Sequence, residues 1–138
     1  MKTRLEEYKK IVETHQRHAP ISELIDMRMT AIEKGQAIFE LDVKNEFLNS
    51  INTMQGGVIS IMADAAMGIA FGSVLDTDTK FSTIEFKINF FRPVTHGHLV
   101  AVGEVKYRGK KIGYTACEIL NSENKLIANA VGTCIILR

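Results

Sequence analysis

The stretch Asn49–Leu75, with the sequence NSINTMQGGVISIMADAAMGIAFGSVL, decides the fold. It begins with polar and turn-forming residues, passes the pair Gly56-Gly57, and then runs apolar to its end with one interruption, Asp64. From the second glycine onward, the spacing predicts a helix with Asp64 on one of its faces. The residues on that face follow one another at steps of three and four: Gly57, Ser60, Ile61, Asp64, Met67, Gly68 and Phe71. Burying a carboxylate in such a segment costs free energy unless the carboxylate is paired or has a function. Asp64 is therefore a candidate functional residue.

An apolar helix of this length is typical either of a membrane span or of the axis of a soluble core. The central Asp64, the many Ala and Gly residues and the lack of flanking basic residues argue against a membrane span. The other segments of the chain alternate as the strands of a soluble sheet do. We therefore expect no membrane span and a long helix wrapped by a sheet.

Length and composition agree with a soluble domain. A chain of 138 residues is large enough for a single core, and we predict one domain over residues 1–138. The net charge of +1 and the absence of Trp give no sign of a nucleic-acid surface. The first twenty residues are charged throughout and lack the apolar core of a signal peptide. Together with two cysteines predicted to be buried reduced thiols, Cys117 and Cys134, this favours the cytoplasm.

Before the central helix, the pattern predicts a surface helix and a hairpin. Residues 3–17 are predicted to form a helix, and Pro20 should end it. The helix has a narrow apolar stripe among charged residues, made of Leu5, Tyr8, Ile11 and Val12. Residues 1–19 are therefore assigned to an N-terminal helix, and 20–138 to the core. Strands are expected over 22–33 and 36–43, followed by a polar loop over 44–55.

After the central helix, the clearest strand of the chain runs from Phe81 to Arg92. Four apolar residues alternate along it with four polar ones: Ile84, Phe86, Ile88 and Phe90 with Thr83, Glu85, Lys87 and Asn89. The apolar face should lie on the helix, and Pro93 should end the strand. Further strands at 98–108, 112–121 and 125–137 are joined by tight turns, which imply antiparallel pairing. The fold class is therefore α+β.

These elements and motifs resemble the hotdog fold, in which an antiparallel sheet wraps a long central helix. More narrowly, they resemble the PaaI-like (phenylacetic acid degradation) acyl-CoA thioesterases. In that family the motif N-x5-H-G-G precedes the central helix, and a catalytic Asp follows the second Gly by seven residues. Four positions of this sequence match: Asn49, Gly56, Gly57 and Asp64. A Ser or Thr followed ten residues later by Pro is matched by Thr83 and Pro93.

The sequence departs from the family motif at Gln55, which stands where the family has His. Related 4-hydroxybenzoyl-CoA thioesterases of one lineage carry Gln at the comparable place. The resemblance implies hydrolysis of an acyl-CoA thioester without a metal or other cofactor, coenzyme A being part of the substrate. The backbone N–H of Gly56 would bind the oxyanion, and the Gln55 amide would be a second donor.

The other matched residues would act on the attacking group. Asp64 would be a general base for water or a nucleophile. Asn49 and Thr83 would orient the water or hold the carboxylate, although Asn49 also suits a turn and Thr83 a solvated strand face. Gly57 and three apolar residues, Phe47, Leu48 and Met54, would contact the substrate. Met62 and Phe71 would line an apolar tunnel with those three, and all five side chains suit an ordinary core equally well.

The resemblance also implies a homodimer, or a dimer of dimers, in which the loop Asn49–Gly56 and the pair Asp64–Thr83 come from opposite subunits. Two other functions fit less of the sequence. A non-catalytic acyl-CoA sensor would have lost activity with Gln55 in place of His. A hydratase would pair a His with the acid, but all four histidines lie away from the glycine pair. His96 and His98 lack accompanying ligands, so no metal site is expected.

Overall fold

A computed structural model describes residues 3–138, and its elements form one antiparallel sheet with helices. The α-helices in this part of the chain are α1 (Arg4–Glu13), α2 (Pro20–Leu24) and α3 (Gly56–Gly72), and a short 3₁₀ helix covers Asn45–Phe47. The strands are β1 (Arg28–Glu33), β2 (Gln36–Asp42), β3 (Lys80–Phe90), β4 (His98–Arg108), β5 (Ile112–Asn121) and β6 (Leu126–Leu137). They lie in the order β1-β2-β4-β5-β6-β3. The predicted α+β class, with a sheet around a central helix, is confirmed.

Helix α3 packs across this sheet and contacts β4 most extensively. Its buried face carries small residues, so the backbones of helix and sheet come very close. A Cβ added at Gly103 of β4 would lie 2.3 Å from the carbonyl oxygen of Ala66. The core around this contact includes Phe39, Leu41 and Leu99, which are fully buried. The 17-residue α3 is thus the axis of the core, and no helix in residues 3–138 has the length and hydropathy of a membrane span.

The N-terminal region differs from the prediction of one helix over 3–17. Helix α1 ends at Glu13, and His15 then takes a positive φ of 55°. Pro20 does not merely stop a helix but begins α2, because its fixed φ suits the first helical position. Strand β1 consequently starts at Arg28 rather than at residue 22.

Strand β3 also departs from its predicted alternation, because it contains a β-bulge. Its register with β6 shifts between Thr83 and Glu85. The extra residue, Ile84, is 55% exposed, whereas the residues after it, Phe86 and Ile88, pack on the core. The bulge turns Thr83 towards α3, on the same side as those two residues. The expectation that Thr83 lies on the opposite face of the strand is therefore wrong.

Candidate active site

Asp64 of α3 is half-buried, and its carboxylate has one hydrogen-bond partner within residues 3–138. The hydroxyl of Thr83 donates a hydrogen bond to Asp64 Oδ1 at 3.0 Å. The two residues belong to different elements, and the bulge in β3 brings them together. The pair predicted to act on the attacking group is thus assembled within one chain.

Cys134 on β6 is a third member of this cluster that sequence reasoning treated only as a buried thiol. Its Sγ lies 3.9 Å from Thr83 Oγ1, and burial raises the pKa of the thiol. The threonine has one hydroxyl proton, which it gives to Asp64, so the protonated thiol is the donor to its oxygen. The signal for this contact is the register of Thr83 opposite Cys134, which becomes visible only once β3 and β6 are paired.

The other half of the predicted site is the start of α3. Gly56 is the first helical residue, and no side chain caps the helix. Within residues 3–138 the N–H groups of Gly56 and Gly57 form no hydrogen bond. Unpaired N–H groups at a helix start, together with the helix dipole, attract a negatively charged oxygen. Gln55 is exposed, and its side chain likewise makes no hydrogen bond with the described residues.

The loop before α3 is held by its own hydrogen bonds. Asn49 Oδ1 accepts the N–H of Ile51 at 3.0 Å and of Thr53 at 3.2 Å, and Asn49 Nδ2 donates to Thr53 Oγ1 at 2.9 Å. The N–H of Gln55 donates to the carbonyl oxygen of Phe47 at 2.8 Å. The amide of Asn49 is therefore engaged in a turn, one of the two roles that the sequence left open.

A cavity of about 300 Å³ opens beside Gly56. Met54, Gly56 and Ile59 line one side of it, and residues 90–94 line the other. The ring of Phe90 lies directly against the helix start, where a Cβ added at Gly56 would be 3.0 Å from Phe90 Cζ. Of the predicted substrate-contacting side chains, only Met54 lines this cavity. Four others belong to or pack on the core: Phe47, Leu48, Met62 and Phe71.

The two halves of the candidate site do not meet within one chain. Asp64 follows Gly56 by eight residues on α3, a separation of about 12 Å along the helix axis. An oxyanion bound at Gly56 is therefore out of reach of Asp64 of the same chain.

Residues 51–128 match the thioesterase superfamily. The chain belongs to this superfamily. A Saccharolobus solfataricus protein provisionally named as an esterase is 32% identical over 94% of this chain and 92% of its own length. The acyl-coenzyme A thioesterase PaaI of Escherichia coli is 30% identical over 71% of this chain and 69% of PaaI. The E. coli PaaI structure superimposes with a TM-score of 0.85, covering 97% of this chain and 96% of PaaI at 21% identity.

These comparisons confirm the predicted hotdog fold and the predicted relationship to PaaI-like thioesterases. The chain is accordingly an enzyme, a thioesterase-superfamily hydrolase.

Proposed function

We propose that the protein hydrolyses acyl-CoA thioesters and that Asp64 activates the attacking water. The observation that carries the proposal is the 3.0 Å hydrogen bond from Thr83 to Asp64, on an apolar helix whose start has unpaired N–H groups. A carboxylate held by a hydroxyl on one oxygen keeps its other oxygen available for a water molecule. No metal or organic cofactor takes part, and coenzyme A belongs to the substrate.

The proposed reaction has two steps. Asp64 accepts a proton from water as the water oxygen bonds to the thioester carbonyl carbon, and the resulting oxyanion receives the N–H of Gly56. The C–S bond then breaks, coenzyme A leaves as its thiolate, and the proton from Asp64 passes to the sulfur. In the alternative, Asp64 attacks the carbonyl carbon, the C–S bond breaks and coenzyme A leaves as its thiolate. Water then attacks the aspartyl carbonyl of the mixed anhydride, the carboxylic acid is released, and a proton of the water passes to the thiolate.

We further propose that each site is shared by two chains of a homodimer, which associates further as a dimer of dimers. The separation of about 12 Å between Gly56 and Asp64 along α3 supports shared sites. So does the position of β3, which ends the sheet and has no neighbour beyond it in residues 3–138. An exposed strand edge of this kind pairs readily with a second strand, and its bulge carries the exposed Ile84.

The remaining predicted residues have supporting roles in this proposal. Gln55 is the second oxyanion donor, because its exposed amide has no other partner in residues 3–138. Gly57 lets the substrate approach the backbone, and Met54 packs against it. Asn49 fixes the loop rather than the water, which is the role its three hydrogen bonds support.

The proposal is tested by measuring thiol release from a panel of acyl-CoAs. Asp64→Asn should lower kcat by at least about 100-fold, as expected when a positioned base is removed. Asp78→Asn, which changes an exposed acid in the loop after α3, is the matched control and should retain activity. Saturable acyl-CoA binding without turnover by the unchanged protein would instead indicate a sensor. Single turnover in ¹⁸O-labelled water tests the alternative: attack of water on the aspartyl carbonyl of the anhydride puts the label on Asp64, whereas the general-base mechanism puts it in the released acid.

A further inference from the structure

If the proposed hydrolysis holds, the residues that line the cavity beside Gly56 indicate which class of acyl group the protein prefers. Its walls are apolar and aromatic, and Phe90 and Phe91 leave 50% and 54% of their surfaces exposed. One charged residue, Arg92, lines it. Aromatic surface left exposed around a cavity is typical of a ligand-binding site.

The exposed guanidinium of Arg92 has no partner in the part of the chain that the structure describes, residues 3–138. Arg4 is engaged with backbone carbonyls, Arg17 with Asp26 and Arg28 with Asp42. Three arginines have no partner in residues 3–138, and of these Arg92 lines the cavity whereas Arg108 and Arg138 do not. Arg92 forms no hydrogen bond or ion pair with any residue in 3–138. No acidic side chain of the same chain lines the cavity among residues 3–138. The guanidinium is therefore free to form two parallel hydrogen bonds with a carboxylate.

The segment that carries Arg92 is held in place on both sides. The N–H of Phe91 donates to the carbonyl oxygen of Ile127 at 2.8 Å, and the N–H of Met54 donates to that of Val94 at 2.7 Å. Pro93 further restricts the backbone between these bonds. A cavity with a fixed wall selects its ligand by shape and charge.

We propose that Arg92 binds a carboxylate at the far end of a short acyl group, so that the preferred substrates are thioesters of short dicarboxylic acids. With the thioester carbonyl at Gly56, an acyl chain of about five carbons fits within a cavity of about 300 Å³, its methylene groups against Phe90 and Phe91. The phosphates of coenzyme A are the competing partner for this exposed side chain, and the experiment below includes thioesters that lack them.

The test compares two acyl groups of equal length, glutaryl and pentanoyl, each as the CoA thioester and as the N-acetylcysteamine thioester, which lacks phosphates. The protein should prefer glutaryl in both series. Arg92→Gln should lower kcat/KM for glutaryl thioesters at least about tenfold in both series, the loss expected for hydrogen bonds between charged groups. Its effect on pentanoyl thioesters should be small. Arg108→Gln, at the β4–β5 turn, is the matched control and should leave the preference unchanged.

Three results would overturn the inference. Equal losses for glutaryl and pentanoyl thioesters would show that Arg92 does not recognise the acyl group. A loss confined to the CoA series would assign the guanidinium to the phosphates. Hydrolysis without any preference for glutaryl contradicts this inference alone, whereas no hydrolysis of any thioester contradicts the proposed function.

Discussion

Gly56 combines an unpaired N–H group with a close contact, and these two properties can be separated by substitution. Proline is favoured at the first residue of a helix and removes the N–H. The preceding residue, Gln55, already has ψ of 126°, which proline requires of its neighbour. Gly56→Pro should therefore fold and should lower kcat by about 100-fold to 1,000-fold, the effect of losing one oxyanion donor.

The control for this prediction is Gly56→Ala, which keeps the N–H and adds the same Cβ near the flexible ring of Phe90. Steady-state thiol release should show a much smaller loss for the alanine variant, with circular dichroism verifying that both variants fold. Similar losses in the two variants would mean that the contact with Phe90, rather than the N–H, is what the reaction needs.

At the scale of elements, α3 and its motif were predictable because their signals are local. The helical periodicity and the motif positions Asn49, Gly56 and Asp64 all belong to one continuous stretch of sequence. The bulge in β3 gives no such signal. It is defined by the pairing of Thr83 and Glu85 with consecutive residues of β6, about 50 positions away. Periodicity alone therefore assigned Thr83 to the wrong face of its strand.

The N-terminal region shows a second limit of local signals. Pro20 is compatible with either the end of one helix or the first residue of another. The choice depends on tertiary packing, since Ser22 of α2 is fully buried and hydrogen-bonded to His18. The sequence likewise did not reveal that the side chain of His98, at the start of β4, would join two strands.

His98 of β4 bridges two carboxylates of β2, and this link should make stability depend on pH. Its Nδ1 lies 2.7 Å from Asp42 Oδ1 and its Nε2 lies 2.7 Å from Glu40 Oε1. Hydrogen bonds to Asp42 and then to Glu40 raise the pKa of His98 above its usual 6.5. A raised folded-state pKa stabilises the protein below the unfolded value, and the effect is lost as pH rises through the folded value.

His98→Gln should consequently lower Tm by a few degrees near pH 6 and by less near pH 9. Hydrogen bonds from Thr30 and then His98 lower the pKa of Glu40, so the bridge persists until the solution is more acidic than the usual pKa of a glutamate. His96→Gln, which changes an exposed neighbour bonded to Thr95 rather than to a carboxylate, is the matched control and should change Tm little. The measurement is thermal unfolding followed across this pH range. A difference that grows towards pH 9 would contradict a charged bridge.

At the scale of the whole molecule, the sheet and helix place the two halves of the candidate site on different parts of the surface. Gly56 and its cavity lie at the start of α3. Asp64 lies midway along α3, where it faces Thr83 of β3 and, next to it, Cys134 of β6. The sheet ends at β3, so a twofold axis beside this strand would join the two sheets and bring unlike halves of two sites together. Such an arrangement predicts that defects in the two halves complement each other between chains.

Mixing Gly56→Pro chains with Asp64→Asn chains tests this directly. Each variant alone should be nearly inactive. After unfolding together and refolding at equal amounts, half of the dimers are mixed and each mixed dimer has one intact site, so about a quarter of the unmodified activity should return. If each site lay within one chain, every site in the mixture would carry one defect and no activity would return. Sedimentation analysis of the same mixture verifies that the chains have reassembled, so that an inactive mixture can be attributed to the geometry of the site.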